Sequence, residues 1–125
     1  MNDDLFERRR AERRTTLNLL EYDILSPDGR VEGMGMARTV NISGTGLLLE
    51  TGQFFEAGQQ LRITLGLNNR LVKLIGKVVH SQPVDDELCN TGVVFIKFSD
   101  ADRQAYQAYY KEISADKLTT SALDQ

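Results

Sequence analysis

The chain is poor in the residues on which metal, redox and nucleophilic chemistry depend. It holds one Cys, one His and no Trp in 125 residues. A single cysteine excludes a disulfide within the chain, and Cys/His zinc sites need about four ligands. No metal site or cofactor is therefore expected. A catalytic triad would have to run through the one histidine, His80, so no catalytic residue is expected and the chain reads as a non-enzyme. No apolar run approaches the roughly 18 residues needed to span a bilayer, and the charged N-terminus does not resemble a signal peptide. A cytoplasmic chain without membrane insertion is the expectation. The net charge is −3, from 15 Lys+Arg and 18 Asp+Glu. That excess of acid excludes the global basic footprint of a DNA or RNA binder. At 41% hydrophobic and 26% charged, a chain of this length makes one ordinary domain.

Positive charge is scarce overall but concentrated. Arg8, Arg9, Arg10, Arg13 and Arg14 fall close together with Glu12 as the only acid among them. Five arginines against one glutamate give +4, and the remainder of the chain carries −7. All five are Arg, whose planar fork matches phosphate oxygens and stacks on aromatic faces, as Lys does not. Two readings stand at this point: a solvated charge run, and a clamp for a local anion.

Residues 1–14 show little hydrophobic periodicity and are expected to form an arm that is flexible without a ligand. From Thr15 the pattern becomes period 2. Leu20, Tyr22 and Ile24 alternate with polar neighbours, then Ser26-Pro27-Asp28-Gly29 supplies a turn. Met34, Met36, Val40 and Ile42 follow as the expected inward set, ending at Ser43-Gly44-Thr45-Gly46. Leu47 to Leu49 is a short buried strand. Leu61, Ile63, Leu65 and Leu67 give the cleanest alternation, and Val72, Leu74 and Val78 the next, with His80 on the same parity. Val93 to Phe98 is apolar on both parities, the pattern of a strand covered on both sides. Five or six strands at this spacing indicate an antiparallel barrel or sandwich. A helix closes the domain: Ser99 and Asp102 fit a capping box, and Tyr106, Tyr109, Tyr110 and Ile113 share one helical face. That stripe is expected to pack on the barrel. The domain is placed at 15–113, with a frayed tail at 114–125.

Two features ask for one explanation. Arg9-x-x-x-Arg13 is overlapped by Arg10-x-x-x-Arg14, and Asn41-Ile42-Ser43-Gly44-Thr45-Gly46 ends a predicted strand. If Val40 and Ile42 face the core, Asn41 and Ser43 face outward. They then sit beside a turn whose two glycines permit positive φ and close approach of a ligand. An amide and a hydroxyl so placed can read a purine edge. Taken alone, the segment is also an ordinary strand-to-turn sequence.

Together the two segments resemble the PilZ domain, a bacterial receptor module for cyclic-di-GMP, whose signature is RxxxR followed by [D/N]xSxxG. Arg9…Arg13 matches the first part and Asn41-x-Ser43-x-x-Gly46 the second, in its Asn form. The Arg8-Arg9-Arg10 run, the Thr91-Gly92-Val93-Val94-Phe95 strand and the closing helix are similar as well, so the likeness spans residues 8–113. It implies an all-β barrel, six- or seven-stranded and antiparallel, with a C-terminal α-helix. It implies that Arg9 and Arg13 clamp phosphates and stack on guanine, that Asn41 and Ser43 hydrogen-bond the ligand, and that Gly46 shapes the turn. Arg8, just before the motif, stands where the family sets whether one or two cyclic-di-GMP molecules bind. Arg10, Arg14, Gly44 and His80 are weaker candidates.

The remaining features stay bland. His80 reads as a strand-end residue near the rim, Cys89 as a free thiol, and Asp85-Asp86-Glu87 as a solvated turn. The expected function is a cyclic-di-GMP receptor or adaptor acting on an effector protein in trans. The alternatives are a PilZ-like protein-interaction module that binds no nucleotide, and a single-strand binder using the Arg arm. A cyclic-di-GMP hydrolase is discounted because it would need metal-binding carboxylate/His clusters.

Overall fold

The protein is described by a computed structural model covering residues 19–67 and 70–124. The Arg-rich arm lies outside these residues. Six antiparallel strands follow one another: β1 (Leu19–Leu25), β2 (Val31–Ile42), β3 (Gly46–Thr51), β4 (Gln60–Leu67), β5 (Arg70–Pro83) and β6 (Cys89–Phe98). They close into a barrel in the order β1-β2-β3-β6-β5-β4. One helix, α1 (Asp100–Asp124), follows. The architecture is the expected all-β barrel with a C-terminal helix, with six strands.

β4 shows how the sequence specifies the barrel. Leu61, Ile63, Leu65 and Leu67 are all buried while the residues between them face outward. They meet Leu20 and Tyr22 from β1 and Val72, Leu74 and Val78 from β5 in one core. Two buried hydroxyls, Thr51 and Thr91, and the half-buried Ser81 satisfy one another: Thr91 Oγ1 lies 2.9 Å from both Thr51 Oγ1 and Ser81 Oγ, and Thr51 also donates to the Gln53 carbonyl.

β2 departs from expectation. Met34, Met36 and Val40, read as inward, are exposed, and Ala37 and Thr39 are buried instead. The inner face of the first half of β2 carries Gly33 and Gly35, and side chains from β1 fill the space. A Cβ at Gly35 would lie 2.5 Å from the Tyr22 hydroxyl, and one at Gly33 3.3 Å from Ile24 Cδ1. A register shift between Thr39 and Asn41 then leaves Val40 without a partner on β3. A bulge of this kind resets the alternation, so Ile42 packs against the core while Asn41 stays outside. His80 is corrected the same way. A shift between Val78 and His80 turns the imidazole outward, off the parity of Val78. In β6, Val93 is buried and Phe95 and Phe98 pack against the core, but Ile96 remains 47% exposed, so that strand is covered only in part.

Ser99 Oγ accepts the Asp102 amide at 3.1 Å and starts α1. The Asp102 carboxylate reaches the β4–β5 hairpin, accepting from Arg70 Nη2 at 3.0 Å and from the Lys73 amide at 3.1 Å. The Arg70 guanidinium first, and then the Lys73 amide, hold its carboxyl below the usual carboxylate range. Tyr106 and Tyr109 are buried in the core, with Tyr110 and Ile113 packed alongside, so the aromatic stripe is a packing face. Phe95, Phe98 and Tyr106 meet edge-on or tilted at 5.0–5.9 Å. The helix continues past residue 113, where a tail was expected, to Asp124. No Gly or Pro occurs after Gly92 to stop it.

Candidate functional site

The register of four strands assembles one outer surface. Asn41 on β2 pairs with Leu48 on β3, Leu48 with Gly92 on β6, and Gly92 with His80 on β5. One row of the sheet therefore runs from the motif asparagine to the histidine. The next row begins at Ser43, whose amide donates to the Gly46 carbonyl at 3.0 Å. It continues through Gly46–Val94 and Val94–Lys77. Between the rows lies a shallow groove of about 330 Å³. Leu48, Val79 and Val94 give it an apolar floor, and Asn41, Ser43 and His80 its polar edges.

Asn41 and Ser43 are set by local geometry. Asn41 Oδ1 accepts the Ile42 amide at 2.9 Å, which fixes the side chain and leaves its NH2 end exposed. Ser43 Oγ accepts the Gly46 amide at 3.0 Å and the Thr45 amide at 3.2 Å. The motif serine thus holds its own turn, and Asn41 presents the free donor. Tyr106 supports this turn from α1, its hydroxyl donating to the Ser43 carbonyl at 2.6 Å. Burial, reinforced by Tyr110 beside it, raises the Tyr106 pKa far above the ordinary phenol range. The hydroxyl therefore remains a donor throughout physiological pH.

The glycines work differently from expectation. Positive φ occurs at Gly29 and Gly58, and neither Gly44 nor Gly46 adopts it. Gly46 is required by close packing: a Cβ there would stand 2.2 Å from the Val93 carbonyl oxygen. Gly44 is exposed, and a Cβ there would meet only Tyr110 Cε2, at an ordinary 3.8 Å. Gly92 was not singled out from sequence. A Cβ on it would lie 2.4 Å from His80 Nε2, so the bare glycine lets the imidazole lie across β6.

Of the sequence-predicted site residues, the structure brings Asn41, Ser43, Gly46 and His80 together around one groove. Arg8, Arg9, Arg10, Arg13 and Arg14 lie outside the described residues. The path into β1 is described. Its first residue, Leu19, pairs with Arg38, three positions before Asn41. The preceding chain thus joins the barrel close to the motif end of β2. Arg13 is six residues from Leu19, a reach of up to about 20 Å. No sequence signal marks Leu48, Gly92, Val94 or Lys77 as neighbours of the motif, because only register places them there. Among the described residues no group of three His, Cys, Asp or Glu could hold a metal. No described helix is long and apolar enough to cross a membrane.

A six-stranded barrel with an outer groove edged by an NxSxxG turn defines a class, and the sequence matches the PilZ domain over residues 7–112. The chain belongs to the PilZ domain family. The matched span includes all five clustered arginines. Among solved structures it is similar to the Bacillus subtilis inhibitor of motility (MotI/DgrA), with a TM-score of 0.60 and 20% identity. That alignment covers 83% of this chain and 49% of the other, so the chain spans about half the length of that protein, and the likeness concerns the fold. No curated protein matches the chain.

Proposed function

We propose that this chain is a cyclic-di-GMP receptor that acts as an adaptor and catalyses nothing. One observation carries the reading: Asn41 and Ser43, matched by spacing alone, stand at the edge of a groove whose far side is closed by His80. The apolar floor between them suits a planar base, and the Asn41 NH2 suits an acceptor on the guanine edge. Arg9 and Arg13 supply the phosphate clamp from the arm that enters beside this end of β2. Arg8 extends the stacking surface, which allows one molecule or an intercalated pair. Arg10, Arg14, Gly44 and His80 are secondary contacts. Closure of the arm over the groove changes the surface that an effector protein meets. The name of the structural neighbour makes motility machinery one place to seek that effector.

Titration calorimetry with cyclic-di-GMP, and with GTP and cyclic-di-AMP as controls, tests the proposal. Each charge-assisted contact is worth about 1.5–3 kcal/mol, so Arg9→Ala or Arg13→Ala should weaken binding roughly 10- to 150-fold. Binding that survives both changes and Asn41→Ala unaltered would refute the site. No binding by the wild type would favour the second reading, a PilZ module that acts through protein contacts alone. The affinity should depend only shallowly on salt, because a ligand with two phosphates releases few counterions, whereas a nucleic acid would show a steep slope.

A further inference from the structure

We infer that Glu50 is the residue that selects guanine over adenine at the groove, and that Arg38 makes its carboxylate tolerable beside an anionic ligand. The assignment rests on the cyclic-di-GMP reading, in which the base must still be told from adenine. Asn41 cannot do this alone. Its free NH2 can donate to a ring nitrogen such as N7, which guanine and adenine both carry. Guanine differs by offering donors, N1–H and the 2-amino group, where adenine has a bare N1. The discriminating partner is therefore an acceptor that cannot turn donor. Ser43 Oγ is already engaged by two backbone amides, and a side-chain amide or an imidazole can present either character. An ionised carboxylate is acceptor-only.

Register supplies one. Next to the Asn41–Leu48–Gly92–His80 row, on the side away from Ser43, runs the row Arg38–Glu50–Asn90–Gln82. Across these two rows and the Ser43–Gly46–Val94–Lys77 row, Glu50 is the sole carboxylate. It lies two residues from Leu48 on the same face of β3 and diagonal to Asn41, a spacing of about 7–8 Å that long side chains bridge. A base resting on Leu48 can thus meet both along one edge. The carboxylate is held by a single oxygen: Arg38 Nη2 at 2.9 Å and Nε at 3.1 Å both donate to Oε1. Among the described residues Oε2 accepts no hydrogen bond. The free donor of Asn41 and the free acceptor of Glu50 match O6 and N1–H, which are neighbours on guanine. Adenine in the same orientation would set its 6-amino group against the Asn41 NH2 and its N1 lone pair against the carboxylate. A carboxylate also repels the ligand's two phosphates, and the Arg38 guanidinium offsets that charge. An exposed ion pair of this kind adds little to stability, so its effect belongs to binding.

Calorimetry of the full chain with cyclic-di-GMP and with cyclic-di-AMP tests this, because the two ligands share their phosphates and ring and differ only in the bases. The wild type should prefer cyclic-di-GMP. Glu50→Gln keeps the volume but makes the group a donor as well as an acceptor, so the ratio of the two dissociation constants should fall at least tenfold. The melting temperature should not change. Arg38→Ala leaves the carboxylate uncompensated and should weaken both ligands by a similar factor, with the ratio preserved. That split between selectivity and affinity is one that a merely structural pair would not produce. A wild type that binds neither ligand overturns the receptor reading, and this assignment with it. A wild type that prefers cyclic-di-GMP, with the same preference in Glu50→Gln, overturns the assignment alone, as does an equal affinity of the wild type for both ligands. Unchanged binding of both ligands by Arg38→Ala would refute the charge-offsetting role of that residue.

Discussion

Replacing Tyr106 with Phe removes one oxygen and should affect both the groove and the alkaline limit of stability. The hydroxyl donates to the Ser43 carbonyl at 2.6 Å from a side chain that is 1% exposed. The aromatic packing against Phe95 and Phe98 survives the change. The loss is then one hydrogen bond, with a partly buried carbonyl left to find water, a cost of about 1–2 kcal/mol. For a domain of this size that lowers the melting temperature by roughly 3–8 °C. The turn that carries Ser43 loosens too, so cyclic-di-GMP affinity should fall roughly threefold to tenfold. The pH dependence gives a second handle. The folded pKa of Tyr106 is raised, so an unfolded chain releases this proton first, from about pH 10. Stability is present in full below pH 10 and is lost as pH rises through the folded value, by at most about 1.4 kcal/mol per unit for this group. In the Phe variant that component disappears. Tyr109, pushed up to about 12 by burial, still contributes, so the alkaline slope becomes shallower and does not vanish. Thermal melts from pH 7 to pH 12, paired with calorimetry, read both effects. A variant with wild-type melting at pH 7 and an unchanged alkaline slope would refute the role assigned to this hydroxyl.

Other perturbations separate packing from recognition. Gly46→Ala drives a methyl to 2.2 Å from the Val93 carbonyl, which is backbone and cannot swing away; denaturant melts should show a loss of about 1–3 kcal/mol. Gly92→Ala meets only the movable tip of His80, so it should weaken cyclic-di-GMP binding with little change in melting, and His80→Ala in the same chain should relieve the crowding. Asp102→Asn tests the tie between α1 and the β4–β5 hairpin. The Asp102 pKa is lowered in the fold, so its stabilising effect is present above the ordinary carboxylate pKa and is lost as pH falls below it. The Asn variant should therefore show a shallower decline in acid, read by circular dichroism from pH 7 to pH 2.

The barrel was legible where period 2 ran unbroken, as in Leu61, Ile63, Leu65 and Leu67, and where the Tyr106–Ile113 stripe met a Ser99 cap. It was misread in β2 because the large apolar side chains there are outside. Gly33 and Gly35 leave the inner space to Tyr22 and Ile24, a trade between strands that no single-strand pattern displays. Bulges at Val40 and Val79 shifted parity without any signal in composition. The site divides along the same line. Asn41, Ser43 and Gly46 are close in sequence and could be found by spacing. Leu48, Gly92, Val94 and Lys77 belong to the same surface through register alone. Gly46 was found for an incorrect reason, since its constraint is a neighbouring carbonyl rather than its φ angle.

The central claim is that the groove between Asn41 and His80 receives cyclic-di-GMP under the Arg9–Arg13 clamp. A 1H–15N correlation spectrum of the labelled full chain, titrated with cyclic-di-GMP, addresses it residue by residue. The account predicts saturable shifts at the Asn41 side-chain amide, the Gly46 and Gly92 amides and the arginines of the arm, with the β1–β2 turn at Asp28–Arg30 unmoved. Shifts confined to other faces of the barrel, or the same shifts in an Arg9→Ala, Arg13→Ala double variant at the same ligand concentration, would contradict it.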